Sequence, residues 1–323
     1  MSAVSQKSLV LVGHGAAARE WLEAAAELPE LELRAGVESD ATRRAAAVAR
    51  GTCMFASVGG MLGALGAPDV AILCTPPALR LETAEPLLRA GVDLLIEPPL
   101  ATTPDDADRI AELAERVDRL AVTIGRFRND AGLRVAGERI AAGEIGRLCA
   151  VEVTLSEKRD ARAGWRADPE LSGGGAWLEL GSDALEIAEY LAGAVRRIRM
   201  VESASTQGAE IEDEVRVETD HGAGVLSTLR LSWNGPSVRP IARCIGDRGE
   251  ISIGSAQTSL VREDGTRALL ARGRDLHAAR VQVLRDFLCE RRGRERRIDG
   301  GAQALAWLHA AYRSATTGRY ELA

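Results

Sequence analysis

Short apolar runs separated by stretches of helical spacing fill the first 125 residues, whereas strict alternation of apolar and polar positions dominates much of the remaining chain. Leu9-Val10-Leu11-Val12 is a run with no polar face, the mark of a strand covered on both sides. Similar runs are LELRAGVE, ending at Glu38, then Asp69 to Cys74, stopped by Thr75-Pro76-Pro77, then VDLLIE and LAVTIG near Gly125. Between them, REWLEAAAELP, ATRRAAAVAR, Val58 to Leu65, Leu81 to Ala90 and TPDDADRIAELAERV carry helical spacing. The last has a Thr or Asp cap and acids in its first turn. Strands alternating with helices predict a parallel, doubly wound sheet.

Beyond Gly125 the period changes. A helix is predicted from Gly132 to Ala142, and EIGRLCAVEVTLSEKR then alternates like a strand with one exposed face. SGGGAWLELGSDALEIAEYLAG is a glycine-rich entry into a helix. RRIRMVESAS, DEVRVETDHGAGVLSTLRLSWN, ARCIGDRGEISIG and SLVRED read as antiparallel strands, with a hairpin turn at Asp220-His221-Gly222. Helices return over Leu276 to Arg291 and Gly301 to Thr316. The fold class is therefore α/β in two parts, a doubly wound parallel sheet over 1–124 and an α+β domain over 125–323 with a large, mostly antiparallel sheet. The C-terminal helix is placed to pack back on the first domain. A large sheet needs cover on both faces, which predicts a homodimer or homotetramer through the C-terminal sheet.

Composition narrows the function classes. A net charge of −6 argues against non-specific nucleic-acid binding. Five cysteines with no C-x-x-C pair and four histidines with no ligand spacing leave no metal site or disulfide framework in view. The start, MSAVSQKS, is short and polar, and no apolar run nears membrane-spanning length, so a cytoplasmic protein with no membrane partner is expected. The basic run Arg291 to Arg297 follows a helix end and has no aromatics for base stacking; a solvated loop is the simpler account. His14, His221, His277 and His309 are most simply structural.

Gly13-x-Gly15-x-x-Ala18 follows the first strand and opens a helix. Gly13 allows the tight turn, Gly15 a close approach of backbone to a pyrophosphate, and Ala18 close packing of helix on sheet, with the N–H groups of Ala16 and Ala17 turned to the phosphates. Glu38 lies 20 positions after Ala18, at the end of the second strand. There a carboxylate accepts from the ribose hydroxyls and repels a 2′-phosphate, favouring NAD over NADP. Arg43 and Arg44 keep NADP as the minority reading. This is the Rossmann dinucleotide fingerprint.

The phosphate loop, Thr75-Pro76-Pro77, Glu97-Pro98-Pro99, Gly143-Glu144-Ile145-Gly146-Arg147, Ser172-Gly173-Gly174-Gly175 and the closing RSATTGRYELA together resemble the Gfo/Idh/MocA family, over nearly the whole chain. The resemblance implies a nicotinamide cofactor held by the first domain, touching Thr75, Pro76, Pro77, Glu97, Pro98 and Arg126, with a small-molecule substrate between that domain and the sheet. It also exposes departures. The family's E-K-P lysine is Pro98, which carries no proton. The motif resembling D-x-G-x-H-x-x-D reads Glu179-Leu180-Gly181-Ser182-Asp183-Ala184-Leu185-Glu186, with Asp183 in place of the histidine. Arg80 stands where relatives often carry histidine.

Glu179, Asp183, Glu186 and Tyr190 follow i, i+4, i+7, i+11 and share one helix face. Clustered carboxylates raise one another's pKa, which would make Asp183 a general acid or base, with Tyr190 or Arg126 orienting a substrate. The bland alternative is a solvated stripe opposite Trp177, Leu180, Ala184, Ile187 and Leu191. Two functions stay open. One is an NAD(P)-dependent oxidoreductase acting on a sugar, polyol or related compound with an altered proton-transfer set, as the lysine-lacking biliverdin reductases suggest by resemblance. The other is a catalytically silent dinucleotide-binding sensor or scaffold, like the family's yeast galactose-regulon co-repressor.

Overall fold

The computed structural model describes residues 6–123, 125, 127, 129–235, 240–273, 275–293 and 301–323. Two compact units emerge. The first comprises Met1–Ile124 with Arg280–Ala302, the second Gly125–Ala279 with Gln303–Ala323.

In the first unit the elements run β1 (Lys7–Val12), α1 (Ala16–Ala26), β2 (Leu31–Val37), α2 (Ala41–Val48), β3 (Met54–Phe55), α3 (Val58–Leu65), β4 (Val70–Leu73), α4 (Arg80–Arg89), β5 (Asp93–Ile96), α5 (Pro104–Arg116) and β6 (Ala121–Thr123). The six strands are parallel in the order β3-β2-β1-β4-β5-β6. Chain direction across the sheet reverses between β1 and β4, where a doubly wound sheet opens a crevice at its carboxyl edge. β4 and β5 are buried along their whole length, as the apolar runs Val70-Ala71-Ile72-Leu73 and Leu94-Leu95-Ile96 require, and the one polar residue among them, Asp93, accepts from Leu120 N at 3.1 Å. One core joins Leu9, Leu11, Ile72 and Leu95 of the sheet, Trp21 of α1, and Val281, Leu284 and Phe287 from near the C-terminus.

The second unit opens with α6 (Ala131–Ala141), β7 (Leu148–Ser156), the short α7 (Pro169–Ser172) and α8 (Ala176–Ala192). It continues with β8 (Arg197–Ala204), β9 (Glu214–Gly222), β10 (Val225–Ser232), β11 (Ala242–Gly246), β12 (Gly249–Ile253), β13 (Gln257–Arg262) and β14 (Arg267–Arg272). Helix α9 (Leu276–Gly293) belongs to the first unit from Arg280 onward, and α10 (Gly301–Thr317) belongs to the second from Gln303 onward. The sheet order is β14-β13-β12-β11-β7-β10-β9-β8, antiparallel throughout except that β7 runs parallel to β10. Helix α8 lies on β7, β9 and β10. The alternating positions Val151, Val153, Val217 and Leu229 are buried under it.

The opposite face of the sheet is polar. It is a lattice of ion pairs, with Arg199–Glu218 and Arg197–Asp220 at 2.7 Å and Arg243 held between Glu152 at 2.9 Å and Glu250 at 2.6 Å. The edge strand β8 is covered by the chain's own end, where Ile198 and Glu321 exchange backbone hydrogen bonds.

The expected hairpin turn shifts. β9 runs on through Gly222, and the reversal falls at Gly222-Ala223-Gly224, all with positive φ. His221 is therefore an inward strand residue, tied to Gly193 O through Nδ1 and to Thr219 and Ser227 through Nε2. No described helix is long and apolar enough to cross a membrane. Among the described residues no cluster of His, Cys, Asp and Glu could hold a metal.

Candidate active site

The glycine loop lies at the carboxyl edge of β1, beside the crevice. Gly13 has φ +88°, and a Cβ there would come within 2.8 Å of the Cys74 backbone. Only glycine fits. Gly15 caps α1 with no side-chain hydrogen bond, and nothing lies within 4 Å of where its Cβ would be. The first turn of α1 carries no acid and Gly15 has no side chain, so no carboxylate of this helix entry meets its first N–H groups and the positive end of its dipole. Ala18 is fully buried against the sheet.

Two further observations mark the crevice as a place for a polar ligand. The Thr75 hydroxyl, just past β4, is buried with no hydrogen-bond partner among the described residues. So is Nε2 of His14, whose ring packs on Gly36 of β2, where a Cβ would lie 2.2 Å from that nitrogen. Burial holds the His14 imidazole below its ordinary pKa despite the nearby Glu38 carboxylate. Buried polar atoms are rarely left unpaired unless something else meets them. The loop, the uncapped helix and the orphaned hydroxyl fit a dinucleotide.

Glu38 is where the fingerprint requires it, but its carboxylate is already engaged. Oε2 accepts from His14 N at 3.0 Å and Arg43 Nε at 3.0 Å; Oε1 accepts from Asp40 N at 2.9 Å and Arg43 Nη2 at 3.2 Å. Burial alone would raise its pKa, yet Arg43 and the two backbone donors outweigh it and hold the group below the ordinary value. Arg43 is a functional candidate whose bond to Glu38 the sequence does not reveal.

At the ends of β4 and β5 the departures from the family pattern have structural roles. Arg80 is 3% exposed; its guanidinium donates to Thr75 O at 2.7 Å and to Glu97 O. Burial lowers its pKa to about 10, which leaves it cationic at neutral pH. The Glu97 side chain accepts from the indole N–H of Trp21 on α1. Pro98 joins Pro99 through a cis peptide. Arg80 clamps two strand ends together, and Pro98 offers no proton. Pro76 and Pro77 lead into a short 3₁₀ turn over Pro77–Leu79 ahead of α4.

The second unit separates the four residues expected to act together. At about 1.5 Å per residue, Glu179 and Tyr190 stand about 16 Å apart along α8. Glu179, in the first turns, is bonded by Arg166 through Nε at 2.7 Å and Nη2 at 2.5 Å, with Arg159 at 3.8 Å. Tyr190 is 54% exposed and rests on Gly137 of α6. Only Asp183 and Glu186 converge. Both carboxylates reach Gly125, where an added Cβ would meet Glu186 Oε2 at 1.7 Å and Asp183 Oδ1 at 3.1 Å. Asp183 is 3% exposed. Arg126 lies outside the described residues.

The Ser172-Gly173-Gly174-Gly175 stretch is explained within the chain. Glu212 places Oε1 on the N–H groups of Gly175 and Trp177, both at 3.0 Å, and accepts from the Tyr312 hydroxyl at 2.8 Å. A Cβ on Gly175 would lie 1.8 Å from Glu212 O, and one on Gly174 would lie 2.4 Å from the Tyr312 hydroxyl. The glycines let the protein's own carboxylate cap α8.

Among known proteins, residues 7–125 match the oxidoreductase family with an NAD-binding Rossmann fold, and residues 133–252 match the GFO/IDH/MocA C-terminal domain. A D-apiose dehydrogenase of Paraburkholderia graminis is 26% identical, over 96% of this chain and 88% of that protein. The crystal structure of an NAD-binding protein from Listeria innocua has a TM-score of 0.86 at 20% identity, covering 98% of this chain and 97% of that one. That of the WlbA dehydrogenase from Bordetella pertussis, in complex with NADH and UDP-GlcNAcA, has a TM-score of 0.80 at 23% identity, covering 98% and 99%. Both structural likenesses are of fold.

Proposed function

The chain belongs to the GFO/IDH/MocA family of oxidoreductases, and from that premise we propose that it moves a hydride between a nicotinamide dinucleotide and a small hydroxyl or carbonyl compound. The observation that carries this reading is the open glycine loop, with Gly13 at φ +88° and the uncapped N-terminus of α1. The N–H groups of Ala16 and Ala17 would hold the pyrophosphate, and the orphaned Thr75 hydroxyl would meet the cofactor at the end of β4. The bound nicotinamide supplies the hydride acceptor or donor. Proton transfer cannot come from Pro98, and Glu179 is committed to Arg166. That leaves Asp183, buried beside Glu186, as the residue to hold and move the substrate proton. Similarity to a D-apiose dehydrogenase supports a sugar or polyol as substrate.

Sugars and polyols are to be screened for turnover, monitored by nicotinamide absorbance, with dinucleotide binding measured separately by tryptophan fluorescence. Asp183→Asn is expected to lower turnover roughly 100-fold with dinucleotide affinity unchanged. Unchanged turnover would remove Asp183 from the reaction. Absence of dinucleotide binding would remove the function itself. One observation favours a second reading: the lysine position is Pro98, whose neighbour Glu97 is bonded to Trp21. A protein that binds the dinucleotide tightly and turns over nothing would be the sensor or scaffold. Association of copies through the eight-stranded sheet, in the cytoplasm, completes the reading; a light-scattering mass of one chain at micromolar concentration would remove the association.

A further inference from the structure

An acid at the end of β2 serves a dinucleotide by accepting hydrogen bonds from the ribose, so its spare acceptor capacity decides what it can bind. A carboxylate has about four lone-pair positions. In Glu38 four donors fill them: two backbone N–H groups, from His14 and Asp40, and two guanidinium N–H groups from Arg43. The side chain is 6% exposed. A ribose diol has nowhere to donate unless Arg43 leaves.

Arg43 is the opposite case. Its side chain is 57% exposed, and two of the guanidinium's five N–H donors are spent on Glu38. Three remain, on a planar cation suited to bidentate recognition of phosphate. Beside it, Arg44 is held by Glu38 O at 2.7 Å and Ser39 O at 2.9 Å, which adds a second positive charge to the same turn. The pair survives the arrival of a phosphate and must break for the arrival of a ribose hydroxyl.

Resting on the dinucleotide reading above, we propose that Glu38 is the anchor of Arg43 rather than a ribose ligand, and that Arg43 receives the 2′-phosphate, so that the site prefers NADP(H). This reverses the preference that an acid in this position implies when read alone.

The test is a titration of the purified protein with NADPH and, separately, NADH, monitoring energy transfer from tryptophan to nicotinamide, so that no substrate is needed. The unaltered protein is expected to bind NADPH about tenfold or more tighter than NADH. Arg43→Ala should weaken NADPH by about tenfold and leave NADH equal or tighter, because the acceptor sites of Glu38 become free. Arg43→Lys, which keeps the charge and loses the planar fork, should fall between. Tighter binding of NADH by the unaltered protein, or a ratio that Arg43→Ala does not change, would overturn the proposal. If neither dinucleotide binds, the dinucleotide reading fails, and this one with it.

Discussion

Two helices in this chain start from glycine-rich loops, and their N-termini are used in opposite ways. α1 begins at Gly15 with no side-chain cap and empty space where a Cβ would stand. α8 begins at Gly175 with the Glu212 carboxylate on its first N–H groups and Tyr312 on the carboxylate. Both solve the same problem, since the first N–H groups of a helix lack partners and carry partial positive charge. One unit leaves the anion to come from outside, and the other supplies its own. Glycine at a helix entry therefore signals a close approach without saying what approaches.

The sharpest way to break this comparison is to put a methyl group on each entry. Gly175→Ala drives a Cβ to within 1.8 Å of the Glu212 backbone, and a backbone cannot step aside as a side-chain tip can. Its cost should be about 3 kcal/mol, read as a lower denaturation midpoint. Gly15→Ala meets nothing, and its φ of −77° suits alanine, so stability should stay within about 0.5 kcal/mol. Its effect should fall on dinucleotide affinity, about tenfold weaker where the backbone must approach a phosphate. Equal stability losses in the two variants would erase the distinction.

What was legible in the sequence divides along the same line. The buried runs Leu9-Val10-Leu11-Val12 and Val70-Ala71-Ile72-Leu73 announced their strands because both faces are covered and no polar residue interrupts them. Met54–Phe55 is too short for any periodicity, so β3 was not. At the second hairpin, Asp220-His221-Gly222 drew the turn two residues early, although Gly222-Ala223-Gly224 carries the positive φ values. Within the site, local spacing placed Gly13, Gly15 and Glu38. It did not reveal that Arg43 fills the acceptor sites of Glu38, because an acid just past β2 and an arginine five positions on, in the first turn of α2, look like any solvated pair. Glu212 lies 37 residues from Gly175 and Tyr312 another 100 beyond, and nothing local joins them. Helical spacing also overreached: one face held Glu179, Asp183, Glu186 and Tyr190, but one face of a helix this long is not one place. A glycine inside β2 was the unused signal, since Gly36 makes room for the His14 ring.

A smaller effect separates an internal anion from an external one by pH. Burial raises the Glu212 carboxyl above its ordinary value of 4.5, although Tyr312 and the backbone N–H groups pull it down. The folded chain thus holds this proton more firmly than the unfolded chain. Stability linked to Glu212 is complete below about pH 4.5 and is lost as the pH rises through the higher folded value. Denaturation across that window should show the decline, and Glu212→Gln should flatten it. The open entry of α1 has no carboxylate to titrate and should contribute no such slope. A slope that persists in Glu212→Gln would assign the effect elsewhere.

The smallest change is Tyr312→Phe, which removes one donor from Glu212 and leaves the two backbone N–H groups in place. It should cost about 1 kcal/mol. It should also push the Glu212 carboxyl further up, because the lost bond was one of the contacts lowering it, so the pH window of decline widens upward. Its steric consequence is the more telling one. The Tyr312 hydroxyl sits 2.4 Å from where a Gly174 Cβ would be, so Gly174→Ala clashes with it and, once the hydroxyl is gone, meets only the ring Cζ and Leu178 Cβ, both at 3.2 Å. Measured together, Gly174→Ala and Tyr312→Phe should cost less than the sum of the two alone. Strict additivity would mean that Gly174 is kept for some reason other than room for the hydroxyl. Dinucleotide affinity should be the same in all three variants, because the anion at this helix entry belongs to the protein.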